Sequence, residues 1–273
     1  MMMVPVRAGV ALVLVLAAAG SAAAQQAASP WQKDRQSSLR LLAGARDDAA
    51  AVGGVELRLD PGWHTYWRDP GDSGVPPRFD FSKSDNVESV SVLFPAPKAF
   101  DDGAGGQSLG YTDHVVLPLR IVAKNPSKPL TLRATVNYAV CDKICVPVEA
   151  SAELSITTGS STDGTLQAAF DALPKLAEVG DANPLTIRAV RRDGKHVMVD
   201  VAAPETAEVS LLAEGPTAEW ALPVPRQISA SAGVRHFGFA LEGLPPGASA
   251  DGATLKLTLI GPDQAREFDV RLP

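Results

Sequence analysis

Apolar and polar residues alternate in short stretches along most of the chain, and this pattern constrains the fold more than any other feature. Residues 130–140 and 146–156 alternate most regularly, with the period of two that turns one face of a β-strand toward a core. Glycine (23 residues) and proline (22 residues) are plentiful and are typical of the turns between strands. The sequence therefore predicts an all-β fold.

The alternating stretches fall into two regions. In the first, strands are predicted at 38–43, 55–59, 78–81, 87–94, 115–122, 130–140 and 146–156, with irregular loops at 69–77 and 95–110. In the second, seven short strands are predicted at 185–190, 196–201, 208–212, 227–231, 236–241, 254–260 and 267–272. Seven short strands at this spacing indicate a β-sandwich.

The segment between the two regions has a different composition. Residues 157–164 are Ser, Thr, Gly and Asp only, which is typical of a linker. Leu166, Ala169, Phe170 and Leu173 then mark one face of a short helix. The predicted domain organisation is an export signal at 1–24, a first domain at 25–157, a linker with a short helix at 158–180, and a second β-sandwich domain at 181–273.

The N-terminal residues contain the three parts of a secretory signal. Arg7 precedes an apolar run at 8–20, and Ala22-Ala23-Ala24 offers small residues for cleavage before Gln25. The apolar run is shorter than the ~20 residues that a membrane span requires. We therefore expect an exported, periplasmic protein whose mature chain is not inserted in a membrane.

Charge and motif content exclude several functional classes. The net charge is −6 and there is no basic run, so nucleic acids and anionic membrane surfaces are poor candidates as partners. No glycine-rich phosphate loop precedes the predicted helix, and no G-x-S-x-G motif occurs. We expect no cofactor.

The chain contains two cysteines, Cys141 and Cys145. In an oxidising compartment two such close neighbours are expected to pair. Their disulfide would close so small a ring that it adds little stability, and an exposed or strained bridge is easily reduced. The spacing therefore favours reversible redox chemistry over a structural bridge in a non-catalytic β module, and both interpretations remain open.

Metal capture is a further possibility. Reduced Cys141 and Cys145 would offer two thiolates to Cu(I), and His64 or His114 could add a nitrogen. Structural zinc is disfavoured, because it usually takes four ligands. The aromatic group at 63–67 could alternatively bind carbohydrate, although aromatic residues at a strand end more often belong to a core.

The first β region resembles the N-terminal periplasmic domain of the membrane thiol–disulfide reductase DsbD and its ScsB-like relatives. The resemblance covers about residues 31–156 and rests above all on the Tyr-Ala-Val-Cys of 138–141 and the Cys-Val-Pro of 145–147. The other matching segments are Gly-Trp-His-Thr-Tyr-Trp at 62–67, Pro-Gly-Asp-Ser-Gly at 70–74, Phe-Pro-Ala-Pro at 94–97, Gly-Tyr at 110–111 and Val-Leu-Pro-Leu at 116–119.

This resemblance implies an immunoglobulin-like sandwich that carries a reversible disulfide and acts as a component of protein-disulfide reduction. Cys141 and Cys145 would be the redox pair, with Pro147 beside them and with Tyr111 and Tyr138 as neighbouring support residues. The loop from Phe100 to Tyr111 would shield the pair. The family's shielding loop often puts an aromatic side chain over the disulfide, but residues 101–106 contain none, so the shield is expected to be either looser here or built from Phe100.

The resemblance also implies partners. In the family, electrons come from a membrane thiol–disulfide carrier and pass to periplasmic thioredoxin-like proteins, and we expect separate proteins to supply both. The residues between the cysteines do not decide which cysteine attacks, since Lys143 favours a thiolate and Asp142 opposes it.

Overall fold

The computed structural model describes residues 27–47, 50–103, 105–158 and 162–273, and almost all of its regular structure is β-strand. The predicted export signal at 1–24 lies outside these residues. Across the described ranges, no helix has the length and apolar character needed to cross a membrane. The predicted all-β fold is confirmed.

Two sheets form the first sandwich. One sheet has the order β1 (Gln32–Lys33), β2 (Ser37–Arg46), β3 (Ala50–Leu59), β9 (His114–Ala123), β6 (Val87–Val92). The other has the order β11 (Cys145–Ile156), β10 (Leu130–Cys141), β4 (His64–Gly71), β8 (Gln107–Thr112), β7 (Lys98–Asp101), and β5 (Arg78–Asp80) pairs with β10. The immunoglobulin-like arrangement expected for this region is thereby confirmed.

Alternation along the strands explains how the first core forms. On β10, every second residue from Leu130 to Val140 is buried in the cluster between the two sheets. On β11, Val148 to Ile156 follow the same rule, while the intervening residues face solvent. Burial of one leucine or valine side chain contributes roughly 1.5–3 kcal/mol, so this single hairpin accounts for a large part of the apolar burial.

A short helix follows the first sandwich and packs on its outer surface. Helix α1 (Gly164–Asp171) begins after Asp163, whose Oδ1 accepts a hydrogen bond from the backbone of Leu166 at 2.8 Å. Leu166 and Ala169 are buried against Leu42 and Val116. The helical face predicted from the sequence is therefore the face that packs.

The second sandwich contains two four-stranded sheets. One has the order β12 (Lys175–Leu176), β19 (Ala265–Arg271), β18 (Thr254–Ile260), β15 (Ser210–Glu214). The other has the order β13 (Thr186–Asp193), β14 (His196–Ala202), β17 (Val234–Ala240), β16 (Arg226–Ser231). Each of the seven strands predicted here corresponds to an observed strand, and β12, which runs parallel to β19, falls within the segment predicted as linker.

Part of the region predicted as loops is strand. Residues 95–110 contain β7 and most of β8, and β4 continues to Gly71, inside the loop predicted at 69–77. The sequence predicts a loop here because glycine is typical of turns. A Cβ atom on Gly110 would lie 1.9 Å from the carbonyl oxygen of Thr65, so glycine is what allows β8 to pair closely with β4.

The two sandwiches pack against each other beside β4. Leu212 and Val224 of the second half are buried in the core cluster of the first sandwich. The guanidinium of Arg68 on β4 binds Glu214 at 2.7 and 2.8 Å and Glu267 at 2.7 Å. These contacts join the strand that crosses the centre of one sheet to the second half of the chain.

Candidate redox site

The two cysteines close the hairpin between β10 and β11. Cys141 is the last residue of β10, Cys145 is the first of β11, and the two are directly opposite each other in the strand register. They form a disulfide, with 4.1 Å between their Cα atoms. Three residues make the turn, in which the backbone N–H of Asp142 donates to the carbonyl oxygen of Ile144 at 3.2 Å. The disulfide therefore sits at the tip of a long hairpin.

The two cysteines differ in their exposure to solvent. Cys141 is 1 % exposed and belongs to a small buried cluster with Tyr66 and Ala139, whereas Cys145 is exposed. Ile144, next to Cys145, is 68 % exposed. Because exchange requires direct attack on a disulfide sulfur, the Cys145 sulfur is the one that another protein can reach.

A tyrosine hydroxyl lies against both sulfurs. The Oη atom of Tyr66 is 3.1 Å from Cys141 Sγ and 3.4 Å from Cys145 Sγ. Burial raises the pKa of Tyr66, so its hydroxyl stays protonated near neutral pH and can donate a hydrogen bond. The ring packs on the loop after β4, where a Cβ atom on Gly74 would lie 2.3 Å from it. Glycine is therefore required at position 74.

Two further rings extend this arrangement away from the sulfurs. His64 is opposite Cys141 in the register of β4 and β10, and its ring meets that of Tyr66 edge-on at 5.5 Å. Phe100 of β7 stacks on the His64 ring at 5.1 Å. We call Phe100, His64 and Tyr66 the aromatic array. Burial lowers the pKa of His64, partly offset by Asp142, so the imidazole is neutral at pH 7.

An apolar groove lies beside the exposed sulfur. Its volume is about 530 Å³. Its lining includes Cys145 and the mainly apolar residues Val75, Pro76, Tyr138, Ala139, Pro147 and Val148. Val75 at its edge is 56 % exposed. A groove of this kind offers contact area to a chain segment that approaches Cys145.

The hydroxyls of the two tyrosines expected from the resemblance bond to groups other than the sulfurs. The hydroxyl of Tyr111 donates to the carbonyl oxygen of Pro95 at 2.7 Å, and that of Tyr138 bonds Ser37 Oγ at 2.9 Å. Both rings are buried in the first core, although Tyr138 also lines the groove. The structure therefore places Tyr66, which the sequence analysis did not single out, with its hydroxyl at the sulfurs. Pro147 pairs with Ala139 and lines the groove.

The residues considered for Cu(I) are only partly brought together. His64 neighbours Cys141, but His114 is on β9 in the other sheet, with Nε2 2.9 Å from Oε1 of the buried Glu56. Within the described ranges, no group of three or more His, Cys, Asp or Glu side chains is arranged to hold a metal ion. Trp67 of the possible carbohydrate platform is fully buried in the first core.

The second sandwich holds a polar row that the sequence analysis did not reveal. Ser231 Oγ is 3.1 Å from His236 Nε2, and His236 Nδ1 is 2.8 Å from Asp200 Oδ1. Arg191 also binds Asp200 through two hydrogen bonds and, with His236, keeps the pKa of that carboxyl below its usual value. These residues belong to neighbouring strands of one sheet, so their hydrogen bonds stabilise the pairing of those strands.

Comparison with known proteins matches part of this chain to a described family. Residues 37–156 match the family model for the N-terminal region of the thiol:disulfide interchange protein DsbD. The crystal structure of the N-terminal periplasmic domain of ScsB from Proteus mirabilis is 19 % identical, with a TM-score of 0.69 over 90 % of this chain and 98 % of that chain. The similarity of fold thus extends into the second sandwich.

Two other comparisons add little. A marsupial T cell receptor aligns over 88 % of this chain and 98 % of that chain at 9 % identity, but its TM-score of 0.21 is too low to support an argument. No curated protein matches the sequence.

Proposed function

We propose that residues 37–156, which match the family model of the DsbD N-terminal region, form a domain of that family, and that the chain exchanges thiols and disulfides with other proteins through Cys141 and Cys145. The observation that supports the proposal most directly is the difference in exposure between the two cysteines. Cys145 is exposed at the tip of a hairpin, and Cys141 is buried against the Tyr66 hydroxyl. One sulfur is thus open to attack, and the other is placed to leave.

The exchange proceeds in two steps. A thiolate of a reduced partner attacks Cys145 Sγ and forms a mixed disulfide, while the bond to Cys141 breaks and Cys141 leaves as a thiolate. The Tyr66 hydroxyl, 3.1 Å away, donates a hydrogen bond to the negative sulfur. A second thiolate of the partner then attacks the partner sulfur of the mixed disulfide and releases Cys145. Two electrons have moved, and solvent supplies the two protons.

The hairpin supports a reduced state with the same fold. β10 and β11 pair along their whole length, from Leu130 opposite Ile156 to Cys141 opposite Cys145. Backbone hydrogen bonds and the buried side chains of both strands hold the cysteines close together whether or not the sulfurs are bonded. Because the ring that the disulfide closes is so small, its opening releases little chain entropy.

The family and the groove also indicate the kind of partner. We infer that this chain is a periplasmic protein that receives electrons from a membrane thiol–disulfide carrier and delivers them to thioredoxin-like proteins. Both partners must present a cysteine to Cys145. The apolar groove lined by Val75, Pro76 and Pro147 would contact the residues that flank the partner's cysteine. The reduction potentials of the partners set the direction of electron flow.

Transfer of electrons to a thioredoxin-fold protein tests this function. We expect the reduced chain, mixed with an oxidised thioredoxin-fold protein of higher reduction potential, to reduce one partner disulfide per chain, as counted by thiol alkylation and mass spectrometry. A variant with Cys141→Ser and Cys145→Ser is the control and should transfer nothing while keeping the same circular dichroism spectrum. An unchanged partner after prolonged mixing with the folded, reduced chain would contradict the proposal.

A further inference from the structure

Asp72 joins three separate segments of the chain. Its backbone N–H donates to the carbonyl oxygen of Gln107, and its Oδ2 accepts from the backbone of Gln107, both at 2.9 Å. Its Oδ1 accepts from the backbone of Val224 at 3.2 Å. The end of β4, the start of β8 and a loop of the second sandwich therefore meet at one carboxylate.

Arg226 of β16 extends this joint to the loop between β7 and β8. Its Nη2 donates to the carbonyl oxygen of Gly105 at 3.0 Å and lies 3.8 Å from Asp72 Oδ2. Within the loop, the backbone of Gly106 donates to Asp102 Oδ1 at 2.9 Å. Arg226, which belongs to the second sandwich, thus contacts a loop of the first.

The loop is connected to the disulfide through the aromatic array. Phe100, just before the loop, is opposite Ser108 in the β7–β8 pairing and stacks on His64, which meets Tyr66. β7 is a four-residue strand at the edge of its sheet, and among the strands of the described residues β8 is its one neighbour. The position of Phe100 therefore depends on what fixes the adjoining loop.

A second contact connects the second sandwich to β4, the strand that carries Tyr66. Arg68 is two residues beyond Tyr66 on β4, and its guanidinium binds Glu214 and Glu267 of the second sandwich. Burial works against the charge on Arg68, but the hydrogen bonds to the two carboxylates outweigh it and raise the pKa of Arg68. The strand that carries Tyr66 is therefore also held by the second half of the chain.

From these contacts we propose that the second sandwich positions the redox site: Arg226 fixes the β7–β8 loop, and through it Phe100 and the aromatic array, against the Cys141–Cys145 disulfide. The inference rests on the proposed function, because it concerns the reactivity of the same disulfide. Arg226 is a positioning residue that acts through Phe100 and does not touch the sulfurs. Loss of its contacts loosens the loop, Phe100 and the rings that hold the Tyr66 hydroxyl at Cys141.

The rate at which dithiothreitol reduces the disulfide in the folded, full chain tests this inference. We expect Arg226→Ala to lower the rate by up to about fivefold, the factor that one lost hydrogen bond of ordinary strength produces in the equilibrium that places Tyr66 against Cys141. Arg226→Lys, which keeps the charge, should recover part of the difference. Arg188→Ala removes an exposed arginine elsewhere in the second sandwich and should leave the rate unchanged.

A double-mutant cycle separates positioning from general loosening. Phe100→Ala alone should also lower the rate, and Arg226→Ala should add nothing in the Phe100→Ala background, because the residue through which it acts is gone. Rates that multiply, or an Arg226→Ala rate equal to that of the wild type, would overturn the inference. Electron transfer by the wild type to a thioredoxin-fold protein is measured separately, so failure of the proposed function is distinguishable from failure of this inference.

Discussion

Replacement of Cys141 by serine is expected to give a protein that captures a redox partner as a stable mixed disulfide through Cys145. Cys145 is exposed at the hairpin tip and remains free to attack, while the thiol that would resolve the mixed disulfide is missing. Cys145→Ser leaves only Cys141, which is 1 % exposed. We therefore expect Cys141→Ser to react at least about tenfold faster than Cys145→Ser, because access limits the buried thiol.

A partner with one reactive cysteine makes this comparison direct. A thioredoxin-fold protein that keeps only its first active-site cysteine, activated as the mixed disulfide with thionitrobenzoate, releases the coloured thiolate when a cysteine of this chain attacks. Cys141→Ser should accumulate the complex, and the reduced wild type should form it and then resolve it with Cys141. Equal rates for the two serine variants, or a complex that forms only with Cys145→Ser, would contradict the assigned roles.

Removal of the Tyr66 hydroxyl is expected to have the second largest effect. In the reduced protein this hydroxyl is placed to donate to the Cys141 thiolate, and a hydrogen bond to a charged group contributes roughly 1.5–3 kcal/mol. Tyr66→Phe should therefore raise the pKa of the Cys141 thiol by about 1 to 2. Reduction of the disulfide should slow about tenfold or more, since Cys141 becomes a poorer leaving group.

The pKa is read from the pH dependence of alkylation in the Cys145→Ser background, where Cys141 is the remaining thiol. The difference in alkylation rate between the protein with Tyr66 and the Tyr66→Phe variant should disappear at a pH above both thiol pKa values, because the Cys141 thiol is then ionised in either protein. Tyr111→Phe and Tyr138→Phe are matched controls, since their hydroxyls bond Pro95 and Ser37. A shift as large in either control would contradict the role given to Tyr66.

Much of the fold can be predicted because β-strands leave a local pattern. The alternation at 130–140 and 146–156 predicts the strands β10 and β11, and seven of the eight strands of the second sandwich are predicted to within a few residues. The pattern fails at β7 and β8, where glycine normally indicates a turn. Gly110 is required there by the close approach of Thr65, which depends on the pairing of distant strands.

The site is predictable only in its local part. Cys141, Cys145 and Pro147 are neighbours in sequence, and their arrangement follows from the hairpin. Tyr66 reaches the sulfurs because β4 pairs with β10 more than 70 residues later, as the hydrogen bond from Tyr66 to Cys141 across 75 positions illustrates. No local pattern specifies that pairing.

The same limit applies to the contact between the sandwiches. Arg68 and Glu214 are 146 positions apart, and Arg226 and Gly105 are 121 apart. Charged residues of this kind usually face solvent, and only the packing of the two halves brings them together. The sequence alone therefore predicts two sandwiches, without the connection that makes the second one a support for the redox site.

The most direct test of the central claim is the reduction potential of the Cys141–Cys145 pair in the folded full chain. The chain is equilibrated in glutathione or dithiothreitol buffers, the thiols are trapped by alkylation, and circular dichroism is recorded at each ratio. We expect a potential between about −120 and −270 mV, the range of exchange-active proteins, with the spectrum of the fold unchanged in both states. A potential below about −300 mV, or reduction that occurs only as the protein unfolds, would show a structural disulfide and contradict the account.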